Sequence, residues 1–401
     1  MAFDGFFCLA VAEELRSWTG AKVEKIHQSA PSCLYLCLYR EGKHANLILS
    51  VSASRPMLAV TEEEIARPNE PTALCMLFRK HLQNGRLLAV DCVPNERIVC
   101  FRFESADELG FLHEKRIYAE MMGKYSNLIL VGENGAVLAA TTTADLTASV
   151  RQVMPGMPYE LPPAQDKRDA LQTDRETFLR LVLESSGKRA DQFLVQSFFS
   201  FSPAIAREVS FRAFERTDEI LTELSAGPLW TSFDSFANSV RDRDFTPNAV
   251  YDGENGVEYA FLPLTQYSGL EVRPYGSFSE LQIRFFARRE ETVNIRSYAS
   301  DILKKLKTLL AREQKKAGLL REEMNACAER EVFRKHGDLL TANLYRLKPG
   351  IPEAEVEDYE TGDIVRIPMN IRLTPTQNAQ AYYRRYAKMK RAEEALRGQI
   401  A

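Results

Sequence analysis

The sequence predicts an α+β, multidomain chain, and three observations carry that prediction. Alternating apolar runs fill the first 140 or so residues, as half-buried strands require. A helix-periodic, polar-apolar stretch follows over 165–240. A proline-free run from Tyr298 to Tyr345 then steps its apolar residues by threes and fours. At 401 residues the chain is too long for one core, so two to four domains are expected.

Residues 1–19 read as a helix that Asp4 can cap, with Leu9, Val11, Ala12 and Leu15 on its apolar side. Strand patterns follow at Lys22–His27, Cys33–Tyr39 and Asn46–Val51, with a Glu41-Gly42 turn joining the last two as a hairpin. Thr72–Leu82 returns to helical spacing and stops at Asn84-Gly85. Strands resume at Arg97–Phe103, His113–Glu120 and Ser126–Val131, and the last turns at Asn134-Gly135 into Ala136–Ala140. This sheet with two helices forms a first domain over 1–165. An all-α module occupies 166–245, and short strands and loops fill a connecting segment over 246–297.

Residues 298–401 are expected to form a coiled-coil arm. Leu303, Leu306, Leu310, Ala317, Leu320, Met324 and Cys327 make a 3-4 seam broken only by Glu313. A helix of that length spans roughly 70 Å. A return helix starts at Thr374-Pro375 and continues the spacing through Ala379, Tyr382, Tyr386, Met389 and Leu396. Between the two, 353–372 is acidic and strand-like, a small β tip. The return helix has at most 27 residues before Ala401, so it reads as truncated and part of the seam is expected to be bare.

Net charge is −3, which disfavours an indiscriminate nucleic-acid binder, but the distribution is uneven. Residues 298–348 hold 12 Lys/Arg against 7 Asp/Glu, and 372–401 hold 7 against 2. The two arm helices are together +10 and the remainder is −13, a basic arm on an acidic body that suits a phosphate-rich surface. Long coiled coils also carry many solvated charges without such a role. The seven cysteines contain no Cys-x-x-Cys and lie mostly in strand-like runs, the pattern of buried thiols in a reducing compartment. No signal-peptide pattern and no membrane-length apolar run is present, so the expected location is cytoplasmic and no membrane partner is expected.

No phosphate-binding Gly-rich loop, nucleophile elbow or His/Cys metal-ligand spacing occurs, so no enzyme activity, cofactor or metal is expected. Three polar clusters remain. Phe78-Arg79-Lys80-His81 places basic groups at a helix end, where they also suit the helix dipole. Glu96-Arg97 sits at a strand entrance after Pro94, where such a pair is commonly a solvated turn, and Glu120–Asn127 is a polar link between strands containing Lys124.

Taken in order, these strings resemble the NFACT family. Phe3-Asp4-Gly5, Met76–Leu82, Asn95–Ile98, Glu120–Asn127, Arg151 with Pro155-Gly156 and Tyr159, Phe201-Ser202-Pro203, Gly337–Asn343 and Asn378-Ala379-Gln380 carry the resemblance across essentially the whole chain. It implies an NFACT-N domain, a helix-hairpin-helix module and the coiled-coil middle domain, without the C-terminal NFACT-R domain. It further implies a non-enzymatic factor of ribosome-associated quality control. Such a factor binds the large ribosomal subunit with its stalled peptidyl-tRNA and recruits charged tRNA (alanyl-tRNA in bacteria) for C-terminal tailing of the nascent chain.

The family's tRNA-recognising Asp-Arg pair falls on Glu96-Arg97, with the acid one methylene longer, and its N-terminal acid falls on Asp4. Arg79, Lys80 and Lys124 would share the tRNA-facing surface. Lys304, Lys305, Lys315, Lys316, Arg384, Arg385, Lys388 and Lys390 would contact ribosomal RNA backbone. Ser200 stands where a glycine usually precedes Phe-Ser-Pro, so a hairpin needing positive φ is expected to be strained or reshaped. The alternative reading is an adhesin that binds fibronectin, the activity behind an older family name.

Overall fold

The computed structural model describes residues 3–64, 70–144 and 151–400, with the side chains of all but 288–301 and 400. The chain forms two compact units, 1–294 and 295–401.

Unit 1 opens with helix α1 (Gly5–Leu15), then strands β1 (Lys22–Ala30), β2 (Cys33–Arg40), β3 (Lys43–Val51) and β4 (Pro56–Thr61). Helix α2 (Ala73–Leu82) leads to β5 (Arg86–Cys92), β6 (Ile98–Ala106), β7 (Leu112–Glu120), β8 (Asn127–Val131) and β9 (Val137–Ala140). These nine strands form one antiparallel sheet in the order β4-β3-β2-β1-β5-β6-β7-β8-β9. The β2–β3 hairpin turns at Glu41 and Gly42 with φ of 50° and 82°, the geometry a tight hairpin twist demands.

β1 and β5 share only the pair Lys22–Arg86, and the sheet folds at that joint so that β3 faces β7 and β8. Leu34, Leu36, Leu47 and Leu49 from one half meet Val99, Phe101, Phe103, Leu128 and Leu130 from the other in a shared core. Period-2 alternation is what allows each strand to present one apolar row inward.

Helices α3 (Arg175–Glu184), α4 (Ala190–Ser197), α5 (Pro203–Phe214) and α6 (Ala226–Arg241) enclose Phe178, Phe193, Phe198 and Phe233. A three-stranded sheet of β10 (Asn248–Asp252), β11 (Asn255–Ala260) and β12 (Glu271–Pro274) follows. All these parts converge on α1. Phe6 packs edge-on against Phe201 and Phe236 of the helical region, and Phe7 against Tyr259 and Phe278. Burying one such ring is worth about 1.5–3 kcal/mol, which explains why α1 is apolar nearly all round.

Helix α7 (Phe278–Ala328) begins inside unit 1, twenty residues before the expected arm, so 278–297 is helical rather than connecting strand and loop. Its start is capped locally by Ser277, whose Oγ accepts from the Glu280 N–H at 3.0 Å, and is also held from outside: the Glu14 carboxylate accepts from the Phe278 N–H, the Ser279 N–H at 2.9 Å and Ser279 Oγ at 2.6 Å. The Gln282 amide then bonds both the N–H and the carbonyl of Leu58 at 2.9 and 2.8 Å, closing the free edge of β4.

In unit 2, the helical run divides at Glu329, where the Val332 N–H bonds the Glu329 carbonyl in a tightened turn, and α8 (Arg330–Ala342) continues. Strands β13 (Glu353–Glu357) and β14 (Ile364–Pro368) pair antiparallel, and α9 (Pro375–Ile400) returns. α8 and α9 pack antiparallel: Tyr383 Oη donates to Asp338 Oδ1 at 2.6 Å, and Arg330 pairs with Glu393. The Tyr383 ring lies where a Gly337 Cβ would be 3.0 Å away, so a larger residue there would oblige the ring to shift by a few tenths of an ångström. Leu339, Leu340, Val356, Ile367 and Ala379 form the core of this end. Leu303, Leu306 and Leu310 of α7 are exposed. No helix among the described residues is long and apolar enough to cross a membrane.

Candidate nucleic-acid interface

Two helix N-termini converge on one carboxylate. Asp4 caps α1 by accepting from the Phe7 N–H at 2.8 Å, and its second oxygen accepts from Ser202 Oγ at 2.6 Å. Ser202 is itself the cap of α5, accepting from the Ile205 N–H at 3.3 Å. Asp4 is 4% exposed, and burial pushes its carboxyl up to about 7 despite both hydrogen bonds. Its place is therefore beneath the surface, tying the sheet region to the helical one.

The hairpin between α4 and α5 lies directly over the start of α1. Ser200 holds φ of +67°, the left-handed conformation expected of the glycine it replaces, at a cost of order 1 kcal/mol. The backbone is thus kept and the strain accepted. A Cβ on Gly5 would stand 2.2 Å from Ser200 Oγ, so the close approach of helix and hairpin depends on Gly5.

Above this junction opens a cleft of about 320 Å³ lined by Asp4, Asn95, Glu96, Arg97, Met122, Gln165, Lys167, Ser200 and Ser202. Asn95 adopts φ of +62° in the turn that delivers Glu96 and Arg97 to the rim. Glu96 is half-buried, and desolvation raises its carboxyl while Arg97 lowers it. No ion pair or side-chain hydrogen bond holds Arg97 or Lys167 among the described residues. Lys167 is pushed down first by desolvation and then by Arg97. Arg97 and Lys167 thus face one cleft with Glu96 as the acid nearest Arg97, and the amides of Asn95 and Gln165 add donors and acceptors.

Of the residues singled out in the sequence, the structure brings Asp4, Glu96 and Arg97 together. Lys124 does not line that cleft; it follows Met122, which does, and Met121, whose N–H donates to the Arg97 carbonyl at 2.8 Å. Arg79 and Lys80 sit elsewhere. The C-terminal turn of α2 meets the far end of β6, where Ser105 Oγ donates to the His81 carbonyl at 2.6 Å. That end is roughly 26 Å from Arg97 by strand rise alone. Arg79 Nε bonds the Ile26 carbonyl at 2.7 Å, and Lys80 pairs with Glu108 at 3.0 Å. In unit 2, Lys304, Lys305, Lys315, Lys316, Arg384, Arg385, Lys388 and Lys390 are all exposed, and Arg385 lies 4.3 Å over the Phe333 ring. Lys167 and Gln165 carry no local motif and become visible only where the segment before α3 crosses the cleft. Among the described residues no group of His, Cys, Asp and Glu could hold a metal.

The folded sheet and the helical region are thus held together by a buried acid, with Arg97 and Lys167 above the junction, in a mixed α+β architecture. The family profile described as NFACT N-terminal and middle domains matches residues 4–401. The chain is 32% identical over 406 residues to "Rqc2 homolog RqcH" of Bacillus subtilis, covering 100% of this chain and 69% of that protein. It is 24% identical over 399 residues to the protein of the same name from Streptococcus pneumoniae serotype 2, covering 99% and 68%.

Among solved structures it is similar to the fibrinogen binding protein from Staphylococcus aureus, with TM-score 0.61 and 27% identity over 71% of this chain and 99% of that one. The N-terminal part of the fibronectin/fibrinogen-binding protein from Streptococcus suis shares the fold at TM-score 0.59 and 23% identity, over 72% and 100%. The chain belongs to the NFACT family.

Proposed function

We propose that this chain is a non-catalytic factor of ribosome-associated quality control. It binds the large ribosomal subunit carrying peptidyl-tRNA and recruits charged tRNA, alanyl-tRNA, for C-terminal tailing of the nascent chain. The observation that carries the reading is the cleft in which Glu96, Arg97 and Lys167 gather over the Asp4–Ser202 junction, in a chain that resembles the Rqc2 homologs along its full length. Arg97 supplies a phosphate or base-edge fork, and Glu96 accepts from amino groups. The exposed cations of α7 and α9 contact RNA backbone, with α7–α9 acting as a coiled-coil arm, and the working place is the cytoplasm.

Co-sedimentation with large ribosomal subunits across a salt series, with sequencing of the bound tRNAs, tests this. Binding should weaken steeply with salt and enrich alanine tRNA. Arg97→Glu should cut tRNA recruitment by about tenfold or more while subunit binding and melting temperature stay unchanged. Absence of subunit binding at low salt would sink the proposal.

A second reading, adhesion to fibronectin or fibrinogen, is favoured by the name of the Staphylococcus aureus structure. It predicts native protein on intact cell surfaces and ligand binding that Arg97→Glu leaves intact.

A further inference from the structure

The tip of the β6–β7 hairpin puts three large apolar side chains into water. Leu109, Phe111 and Leu112 are 82%, 64% and 63% exposed. The loop that carries them is closed on itself. The Asp107 N–H bonds the Phe111 carbonyl at 2.9 Å, and the Gly110 N–H bonds the Asp107 carbonyl at 3.1 Å. Asp107 Oδ1 accepts from the Leu109 and Phe111 N–H groups, each at 2.9 Å, and Gly110 supplies φ of +89°. His113 ties this loop to the β8–β9 turn: its Nε2 lies 3.1 Å from Asp107 Oδ2 and its Nδ1 2.7 Å from Glu133 Oε2. Three apolar side chains held outward by a braced loop form a knob, and such a cluster marks contact with another macromolecule.

Charge decides which kind. Beside the knob opens a groove of about 480 Å³, lined by Asp107, His113, Glu133 and Leu138 among others. The cations of this end are committed. Lys80 pairs with Glu108 at 3.0 Å. The buried Lys115 ammonium donates to Ser105 Oγ at 2.9 Å and to the His81 carbonyl at 3.1 Å. His113 is shared between two carboxylates, and desolvation, then Lys115 and Lys80, holds the His81 imidazole below its ordinary range. A phosphate backbone would meet Asp107, Glu108 and Glu133 with no uncommitted cation among the described residues of this end to receive it. A protein segment whose apolar side chains are flanked by Lys or Arg meets the opposite. It covers Leu109, Phe111 and Leu112, and its cation enters the groove toward Asp107 and Glu133. Proteins that pack on RNA carry such segments, because they must neutralise phosphates.

We propose that the β6–β7 tip is a docking knob for a basic, apolar-faced segment of a protein of the large ribosomal subunit. This rests on the subunit-binding reading and adds to it a protein contact at the end of β6 opposite Arg97.

The test places a photo-reactive side chain on the knob, Leu109→p-benzoylphenylalanine, in the full chain. After irradiation with purified large subunits, nuclease and protease digestion separate RNA adducts from protein adducts. A protein adduct is expected, on a peptide rich in Lys or Arg. Adding Phe111→Ser should cut its yield by about tenfold, and Phe111→Leu should keep most of it, because the contact needs apolar bulk. Glu133→Gln should lower the yield severalfold, and Arg97→Ala should leave it unchanged. Melting temperature should stay as in the parent throughout, since these side chains are exposed. An adduct with RNA or with a second copy of the chain would overturn the proposal, as would a protein adduct indifferent to Phe111→Ser. If the parent co-sediments with subunits and the probe links to nothing, the knob is wrong and the subunit reading survives. If the parent fails to co-sediment at low salt, that reading falls and takes the knob with it.

Discussion

The two ends of β6 carry similar basic side chains in opposite circumstances. At the Ile98 end, Arg97 faces a cleft with Lys167 and Glu96, and no ion pair or side-chain hydrogen bond among the described residues holds its guanidinium. At the Ala106 end, Arg79 is spent on the Ile26 carbonyl and Lys80 on Glu108. The sequence presents one as a basic cluster at a helix end and the other as an acid-base pair at a strand entrance. The structure separates a cation that is available from cations that already hold the fold. Availability of a charge, not its presence, marks the candidate interface, and the difference can be tested at decreasing scale.

The largest expected effect lies under the Arg97 end. Asp4 is protonated in the folded chain up to about pH 7 but ionises near 3.8 when unfolded. Between those values the folded state binds the extra proton, so stability falls as pH rises through the window and levels off above it. Full development would cost up to about 4 kcal/mol between pH 4 and pH 8. Asp4→Asn should flatten that part of the stability curve in urea titrations at several pH values. An identical pH slope in parent and variant would show that Asp4 is ionised throughout and that burial is offset by the two helix N-termini.

A smaller effect is expected at the contact of helix and hairpin. Gly5→Ala places a methyl 2.2 Å from Ser200 Oγ and 2.7 Å from its Cβ, which should destabilise by about 1–3 kcal/mol. Ser200→Gly removes both atoms and relieves the positive φ, so the double variant should recover most of the loss. Purely additive effects in this cycle would mean that the hairpin does not rest on α1.

Much of unit 1 is legible in the sequence because alternation and turn chemistry agree there. The Glu41-Gly42 and Asn134-Gly135 turns and the strands around them are examples. β4 and β5 are not legible. Pro56–Thr61 starts on a proline and is buried on both faces for most of its length, so it shows no alternation, and its edge is closed by Gln282 from 224 residues away. Arg86–Cys92 is a short mixed run whose role is to join the halves of a folded sheet. The start of α7 is a legible signal that the expected arm boundary misses: Ser277 stands three residues before Glu280 and its Oγ accepts from the Glu280 N–H at 3.0 Å, a local cap to which Glu14 of another helix adds further acceptors. Within the cleft, Glu96-Arg97 is readable as a motif. Lys167 is not, since only tertiary folding brings it beside Arg97. Ser200 is the opposite case, where a departure from glycine is visible and the structure supplies its consequence.

The finest test of the comparison is Lys80→Ala. The Lys80–Glu108 pair is exposed on both sides, and such pairs contribute between nothing and about 1 kcal/mol, so melting temperature should barely move. Its effect on RNA is the sharper readout. A cation already paired with a carboxylate displaces few counterions when a phosphate approaches, because the phosphate must first compete with Glu108. The salt dependence of tRNA binding should therefore be the same in Lys80→Ala as in the parent, whereas Arg97→Ala should lower its slope by roughly one. An equal drop for both would mean that Lys80 exchanges Glu108 for RNA. The tRNA-facing surface would then extend along the whole of β6, and the pairing seen at that end would be a resting arrangement of the unbound chain.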